Sequence, residues 1–254
     1  MGNDHPDADL YPEATGPAAA TVKAHSAEHH LKLYSGWFCP FVQRVWIALE
    51  EKGIQYQYIE VNPYRKPNQN KPLYESTVLC EFLEEAFPDH TPHLLPKDPY
   101  DRARTRIWTD YVTSRIIPGF HRFLQHQGQD GLKEKQHDFL GYLKEFTKEM
   151  DPKGPFFLGK EFSLIDIVIA PWALRLWIFD HFKGGLGIPE KGKGGDDETV
   201  WEKWRVWVEE VSKRRSVIET MSEREHYLPI YQRYADDDAQ SELAKATRAG
   251  RGVP

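Results

Sequence analysis

Residues 31–61 read strand, helix, strand within about 30 residues, and this unit limits the folds open to the chain. Leu31-Lys32-Leu33-Tyr34-Ser35 has the make-up of a short strand, and Gly36-Trp37-Phe38 that of a turn. Val42, Val45, Trp46 and Leu49 then recur at helical spacing, and Gly53 ends the helix. Ile54-Gln55-Tyr56-Gln57-Tyr58 alternates, which predicts a second strand to about Val61. A strand–helix–strand unit of this size sets its strands parallel, as neighbours or near-neighbours. A further helix follows Leu73-Tyr74. Its apolar positions are Val78, Leu79, Phe82, Leu83 and Phe87, and Pro88 stops it.

From Asp98 onward the pattern is helical only. Asp98 is a good N-cap, Pro99 suits the first helical position, and Asp101 lies three after the cap. This helix runs through Trp108 and Val112 toward Pro118. A second carries Phe139, Leu140, Leu143, Phe146 and Met150. A third opens on Ser163-Leu164-Ile165-Asp166, a capping box with Asp in the Glu place, with Phe162 and Ile167 at the staple positions. A fourth carries Trp201, Trp204, Val208 and Val211. Lys183–Glu198, rich in Gly and Lys, lacks the Gly-Lys-Ser/Thr of a phosphate loop and reads as a mobile connection. The expected organisation is a disordered arm over 1–28, a small α/β domain over 29–90, an all-helical domain over 97–233 and a C-terminal tail over 234–254.

Composition removes several function classes. In 254 residues, 33 Lys and Arg stand against 39 Asp and Glu, a net charge of −6 that argues against a large nucleic-acid footprint. Hydrophobic residues at 40% and aromatics at 13% suffice for a sizeable core. The most apolar stretch, 162–179, contains Asp166, Pro171 and Arg175, so it reads as a buried helix and no membrane span is expected. The opening Met1-Gly2-Asn3-Asp4-His5-Pro6 fits neither a secretory signal nor myristoylation, which wants Ser or Thr where Pro6 sits. Two cysteines, Cys39 and Cys80, cannot form a disulfide framework; that usage fits a reducing compartment, and a cytoplasmic protein is expected. His25, His29 and His30 lack Cys or acidic partners at ligand spacing, so no metal is expected.

The chemistry centres on Phe38-Cys39-Pro40-Phe41, between the first strand and the first helix. Pro40 at the first helical position puts Cys39 at the N-cap, where unbonded backbone N–H groups and the positive dipole end favour a thiolate. Most lone cysteines are small buried hydrophobes, and Cys80, beside Leu79 and Phe82, is read that way. Residue 42, where a Cys-x-x-Cys partner would stand, is Val42, so a mixed disulfide on Cys39 needs an outside thiol to resolve it. In cytosol the abundant choice is glutathione. Glu75-Ser76, ahead of the helix starting near Thr77, offers a hydroxyl and first-turn N–H groups to a carboxylate, and Lys66 offers a cation to a second one. Taken singly, Ser76 is a cap and Lys66 a surface lysine.

Together these motifs resemble a known family. Residues 31–87 look like the thioredoxin-like domain of cytosolic glutathione transferases, and 97–233 like their helical domain. Phe38-Cys39-Pro40-Phe41 resembles the omega class, which uses cysteine rather than tyrosine or serine. Lys52-Gly53-Ile54, Lys66-Pro67, Leu73-Tyr74-Glu75-Ser76 and the Ser163–Asp166 box match the same pattern. The resemblance implies an α/β thioredoxin-like N-terminal domain followed by an all-α domain, with glutathione as co-substrate. Cys39 would form the mixed disulfide, Phe41 pack near the tripeptide, Lys66 contact the glycyl carboxylate, and Glu75 and Ser76 hold the γ-glutamyl end. The implied reactions are thiol transfer, deglutathionylation and dehydroascorbate reduction. The second substrate, a small electrophile or mixed disulfide, would lie near Tyr111, Arg115, Trp172 and Arg175, each of which taken singly reads as core. Family members are usually dimers, so a homodimer is implied.

One departure stands out. The family places a helix, a loop with a Val–cis-Pro step and a strand between the second strand and the Glu-Ser pair, yet Val61 and Glu75 are 14 positions apart. Roughly 20 residues, the span of such a helix, loop and strand, are missing from the pattern, so the first domain is truncated. Two alternatives follow. One is a conjugating transferase for apolar electrophiles, in detoxification or a biosynthetic pathway, suggested by the aromatic-rich helical domain. The other is a non-catalytic interaction module of the same fold.

Overall fold

The computed structural model describes residue 5, residues 7–8, 12–65 and 72–254. Strand β1 (Lys32–Ser35), helix α2 (Pro40–Lys52) and strand β2 (Gln57–Glu60) follow a first helix, α1 (Gly16–Ala24). The strands pair parallel, with Lys32 opposite Gln57 and Ser35 opposite Glu60. Among the described residues the sheet has these two strands. Helix α2 crosses between them: Trp46, Ile47 and Ala48 are fully buried, and the Trp46 ring lies 4.6 Å from that of Tyr58. Gly53 takes the left-handed φ of 60° that ends α2, a conformation Gly adopts without a Cβ penalty. Helix α3 (Ser76–Ala86) packs on α2 through buried Cys80 and Leu83.

The chain divides into two compact units, one of residues 1–96 with 213–230, the other of 97–212 with 231–254. This differs from the expected boundaries, and polar contacts accompany the larger differences. Residues 213–230, placed by the sequence in the helical domain, join the first unit. Arg214 grips Glu51 of α2 with two hydrogen bonds of 2.7 and 2.5 Å, Ser216 Oγ donates to the same carboxylate, and Gln43 Nε2 donates to Thr220 O. The arm expected to be disordered contains α1. Ala18 is fully buried, its N–H donates to Met221 O, and Thr21 Oγ1 donates to Glu219 O at 2.7 Å. Four consecutive small residues, Pro17-Ala18-Ala19-Ala20, allow that close docking without helical periodicity in the sequence.

The second unit is helical: α4 (Pro99–Tyr111), a π-turn (Val112–Ile116), α5 (Ile117–Gln125), α6 (Leu132–Lys148), α7 (Leu164–Ala173), α8 (Ile178–Phe182), α9 (Glu198–Ser212) and α12 (Glu242–Arg248). Short helix α10 (Arg215–Ile218) belongs to the first unit, and α11 (Arg224–Ala235) continues from the first into the second. Asp98 caps α4 as expected, accepting from the N–H groups of Tyr100 and Asp101. The sequence treats 234–254 as a tail. In the structure α12 packs on α5 with Ala244 fully buried, and Gln125 Nε2 donates to Ala244 O. The segment 183–198, expected to be mobile, is tied down: Gln136 Nε2 donates to the carbonyls of Gly185 and Leu186, and the Glu198 carboxylate accepts from Gly192 N and Gly194 N. Gln136 reaches the segment from α6, 49 positions before Gly185, a contact that local composition does not reveal, while Glu198 closes its own end of the segment.

Every residue of α7 is buried, so its capping box stands in the core. Asp166 accepts from Ser163 N (2.9 Å), Ser163 Oγ (2.8 Å), Phe157 N (2.9 Å) and Trp207 Nε1 of α9 (2.7 Å). Burial pushes its carboxyl up, and these four donors oppose the shift. Asp166→Ala strands all four donors in the core, and we expect unfolding free energy to fall by about 3 kcal/mol in urea titrations. A variant as stable as the parent would show that the network contributes little.

Candidate active site

The turn from β1 into α2 is fixed by backbone contacts. Gly36 comes so close to β2's exit that a Cβ would meet Val61 O at 3.2 Å. Trp37 N–H donates to Glu60 Oε1 at 2.9 Å, and Cys39 N–H donates to Gly36 O at 2.9 Å. Gln43 N–H in turn donates to Cys39 O, and Cys39 has extended φ and ψ of −73° and 116°, so it is the N-cap residue of α2, with Pro40 opening the helix. Its side chain is half-buried and is not in a disulfide. Cys39 thus occupies the position at the head of α2 toward which the first-turn amides and the helix dipole are directed. Cys80 is fully buried, and burial pushes its thiol up to about 12.

A second helix start lies in the same unit. Glu75 is the N-cap of α3 with φ 71° and ψ 104°, a left-handed backbone that costs a non-glycine residue about 1–3 kcal/mol. Such strain gathers at functional sites. Glu75 is exposed and Ser76, the first residue of α3, is half-exposed.

Arg44 joins the two starts, and the sequence reading missed it. Its guanidinium is buried, donates from Nη1 to Ser76 Oγ at 3.2 Å and stacks over the Phe41 ring at 5.3 Å. Burial pulls it down to about 10, while Cys80 and Cys39 pull the other way. With Arg44 donating to its oxygen, the Ser76 hydroxyl is left to donate its own proton to an anion. Its burial is a tertiary outcome: Arg44 sits between Gln43 and Val45 on a helix whose stretch 43–49 is buried throughout.

The structure gathers Cys39, Phe41, Glu75 and Ser76 into the first unit. Lys66 lies outside the described residues. The four second-substrate candidates all belong to the second unit. Tyr111 donates to Glu145 Oε2 at 2.5 Å, and burial followed by that bond pushes its phenol far up. Arg115 is exposed. Trp172 and Arg175 are core residues, 1% and 3% exposed, and Arg175 Nη1 donates to Pro171 O, so burial takes both off the surface where a substrate would lie. Among the described residues no group of three His, Cys, Asp or Glu side chains is placed to hold a metal. His25 stacks on Tyr56 at 4.0 Å and lies 3.2 Å from Glu50.

Residues 38–74 match the model of the glutathione S-transferase N-terminal domain, and 129–210 that of its C-terminal domain. Glutathione S-transferase omega-1 of the pig, Sus scrofa, is 34% identical over 167 residues, which are 58% of this chain and 67% of that protein. The chain belongs to the glutathione S-transferase family. This glutathione S-transferase is omega-like: the crystal structure of glutathione transferase Omega 3C from Trametes versicolor superposes with a TM-score of 0.78 at 44% identity, covering 90% of this chain and 100% of that one. Rice GST1 in complex with glutathione superposes with a TM-score of 0.65 at 23% identity, over 81% of this chain and 96% of that one, and shows the shared fold.

The different burial of the two thiols has a direct readout. Iodoacetamide should label one thiol per folded chain, at Cys39, and a second only after denaturation, as read by intact mass and peptide mapping. Labelling of Cys80 in the folded protein would contradict the packing of α3 on α2.

Proposed function

We propose that this omega-like glutathione transferase uses Cys39 for glutathione-dependent thiol transfer. The observation that carries the reading is a half-exposed cysteine at the N-cap of α2 with Cys80 buried in the core, so that no second thiol of the described chain is poised to resolve it. The Cys39 thiolate attacks the glutathionyl sulfur of a mixed disulfide. The Cys39–glutathione disulfide forms, and the other sulfur leaves as a thiolate that takes up a proton. A second glutathione thiolate then attacks the glutathionyl sulfur of that disulfide, releasing oxidised glutathione and restoring the Cys39 thiolate. Helix amides that favour the thiolate also make Cys39 a good leaving group in this second step.

The remaining groups are assigned by their chemistry. Ser76, with its oxygen held by Arg44, and the first-turn amides of α3 take the γ-glutamyl carboxylate, beside Glu75. Phe41 packs against the tripeptide, and Lys66 takes the glycyl carboxylate. The partner molecules are glutathione and a small mixed disulfide or electrophile. Exposed Leu73, Tyr74 and Val78, on and before α3, support a second copy of the chain as a partner, and two cysteines outside any disulfide support a reducing, cytoplasmic setting.

Incubation with oxidised glutathione should add one glutathionyl group, mapped to Cys39 and absent in Cys39→Ser. Ser76→Ala should weaken glutathione binding in calorimetry about ten-fold, the loss of one hydrogen bond to a charged group. No adduct on Cys39 would overturn the reading, and conjugation of an apolar electrophile that survives Cys39→Ala would favour the conjugating alternative.

A further inference from the structure

Glu60 closes β2 opposite Ser35, beside the point where β1 gives way to the turn that leads to Cys39. One carboxylate oxygen accepts from Trp37 N–H at 2.9 Å, and the other accepts from Tyr58 Oη at 3.2 Å. The Ala14 amide, ahead of α1, donates to the same carboxylate. Trp37 stands two residues before Cys39. Its ring is buried, 5.1 Å from that of Tyr227 and 5.6 Å from that of Phe38. Its main chain is held at two points, by Glu60 on the Trp37 amide and by the Gly36–Cys39 hydrogen bond that closes the turn.

We infer that Glu60 is a positioning residue for the Cys39 thiol: by holding the Trp37 amide it fixes the turn that sets the sulfur at the head of α2. This rests on the reading of Cys39 as the reacting group. Burial pushes the Glu60 carboxyl up to about 7, with Glu13 adding to the shift and the Trp37, Tyr58 and Ala14 hydrogen bonds opposing it. The titratable groups around it are Glu13, Tyr58 and, beyond Tyr58, Tyr227. A charged acceptor holds an amide more tightly than a neutral one. The turn is therefore held most firmly above pH 7 and relaxes as the carboxyl takes up a proton below it.

The test is the pH–rate profile of iodoacetamide alkylation at Cys39, read by peptide mapping on the full chain with wild type, Glu60→Gln and Glu60→Leu. Wild type should show an inflection near pH 7 besides that of the thiol itself. Glu60→Gln keeps the acceptor but cannot ionise, so it should lack that inflection and stay within about two-fold of wild type at pH 6. For release of glutathione from a glutathionylated peptide, kcat/KM should fall about ten-fold in Glu60→Leu and be restored in Glu60→Gln at pH 6. Superimposable alkylation profiles for wild type and Glu60→Gln would overturn the inference, and this comparison holds even where Glu60→Leu fails to fold. Alkylation needs no glutathione, so an enzyme that forms no adduct at Cys39 would defeat the functional reading while leaving this test intact. The same carboxyl gives a stability readout. Its folded pKa lies above its usual 4.5, so folding takes up a proton between about 4.5 and 7, and the stability it contributes is lost as pH rises through that window. Glu60→Gln should therefore gain stability on wild type above pH 7 in urea titrations and match it below pH 4.5; a constant difference at all pH values would count against a titrating Glu60.

Discussion

The parallel pairing of β1 with β2 sets Ser35 opposite Glu60, and the site follows from that register. Because the strands run the same way, the chain leaves β1 beside the exit of β2, and α2 must start there to cross back. Gly36 fits under Val61 O, Trp37 reaches the Glu60 carboxylate, and Pro40 opens the helix one residue after the cysteine. A slip of one residue would turn every side chain of the strand to the opposite face and take Glu60 away from the turn. The burial of Trp46, Ile47 and Ala48 along α2 makes such a slip costly, so hydrophobic packing far from the sulfur keeps the sulfur in place.

Arg44 extends the same logic to α3. A buried guanidinium is expensive to desolvate, and this one persists with the Ser76 hydroxyl as acceptor and the Phe41 ring beneath it. One cation therefore shares its surroundings with both helix starts, and the strained backbone of Glu75 immediately precedes the Ser76 that it holds. The strain and the buried charge are both unfavourable to folding, and both sit at the proposed binding site, the pattern expected of a preorganised one.

With two strands among the described residues, the first unit draws support from elsewhere in the chain. Residues 213–230 bring Arg214 and Ser216 to Glu51, and α1 adds its small-residue face through Thr21 and Ala18. These contacts join segments 163 to 198 positions apart, from Glu51 with Arg214 to Thr21 with Glu219. The closure entropy of so long a loop grows only slowly with its length, which makes such late recruitment thermodynamically reasonable.

Local rules made much of this legible in advance. Pro40 after Cys39, Gly53 after α2, Asp98 before α4 and the Ser163–Asp166 box each act through neighbours within four residues, so the elements and the N-cap cysteine could be read directly from the sequence. The docking of α1 and α12, the order in 183–198 and the membership of 213–230 could not, because each depends on partners distant in sequence. Arg44 and Glu60 show the same division at the site itself. As letters they are an arginine on a helix and a glutamate ending a strand. What the sequence by itself determined is which segments are strand or helix and where a thiol meets a helix start, since hydrophobic period and capping are short-range. Only the tertiary structure decided which charges were buried and what they hold, since burial and partner choice are set by whatever the rest of the chain brings alongside.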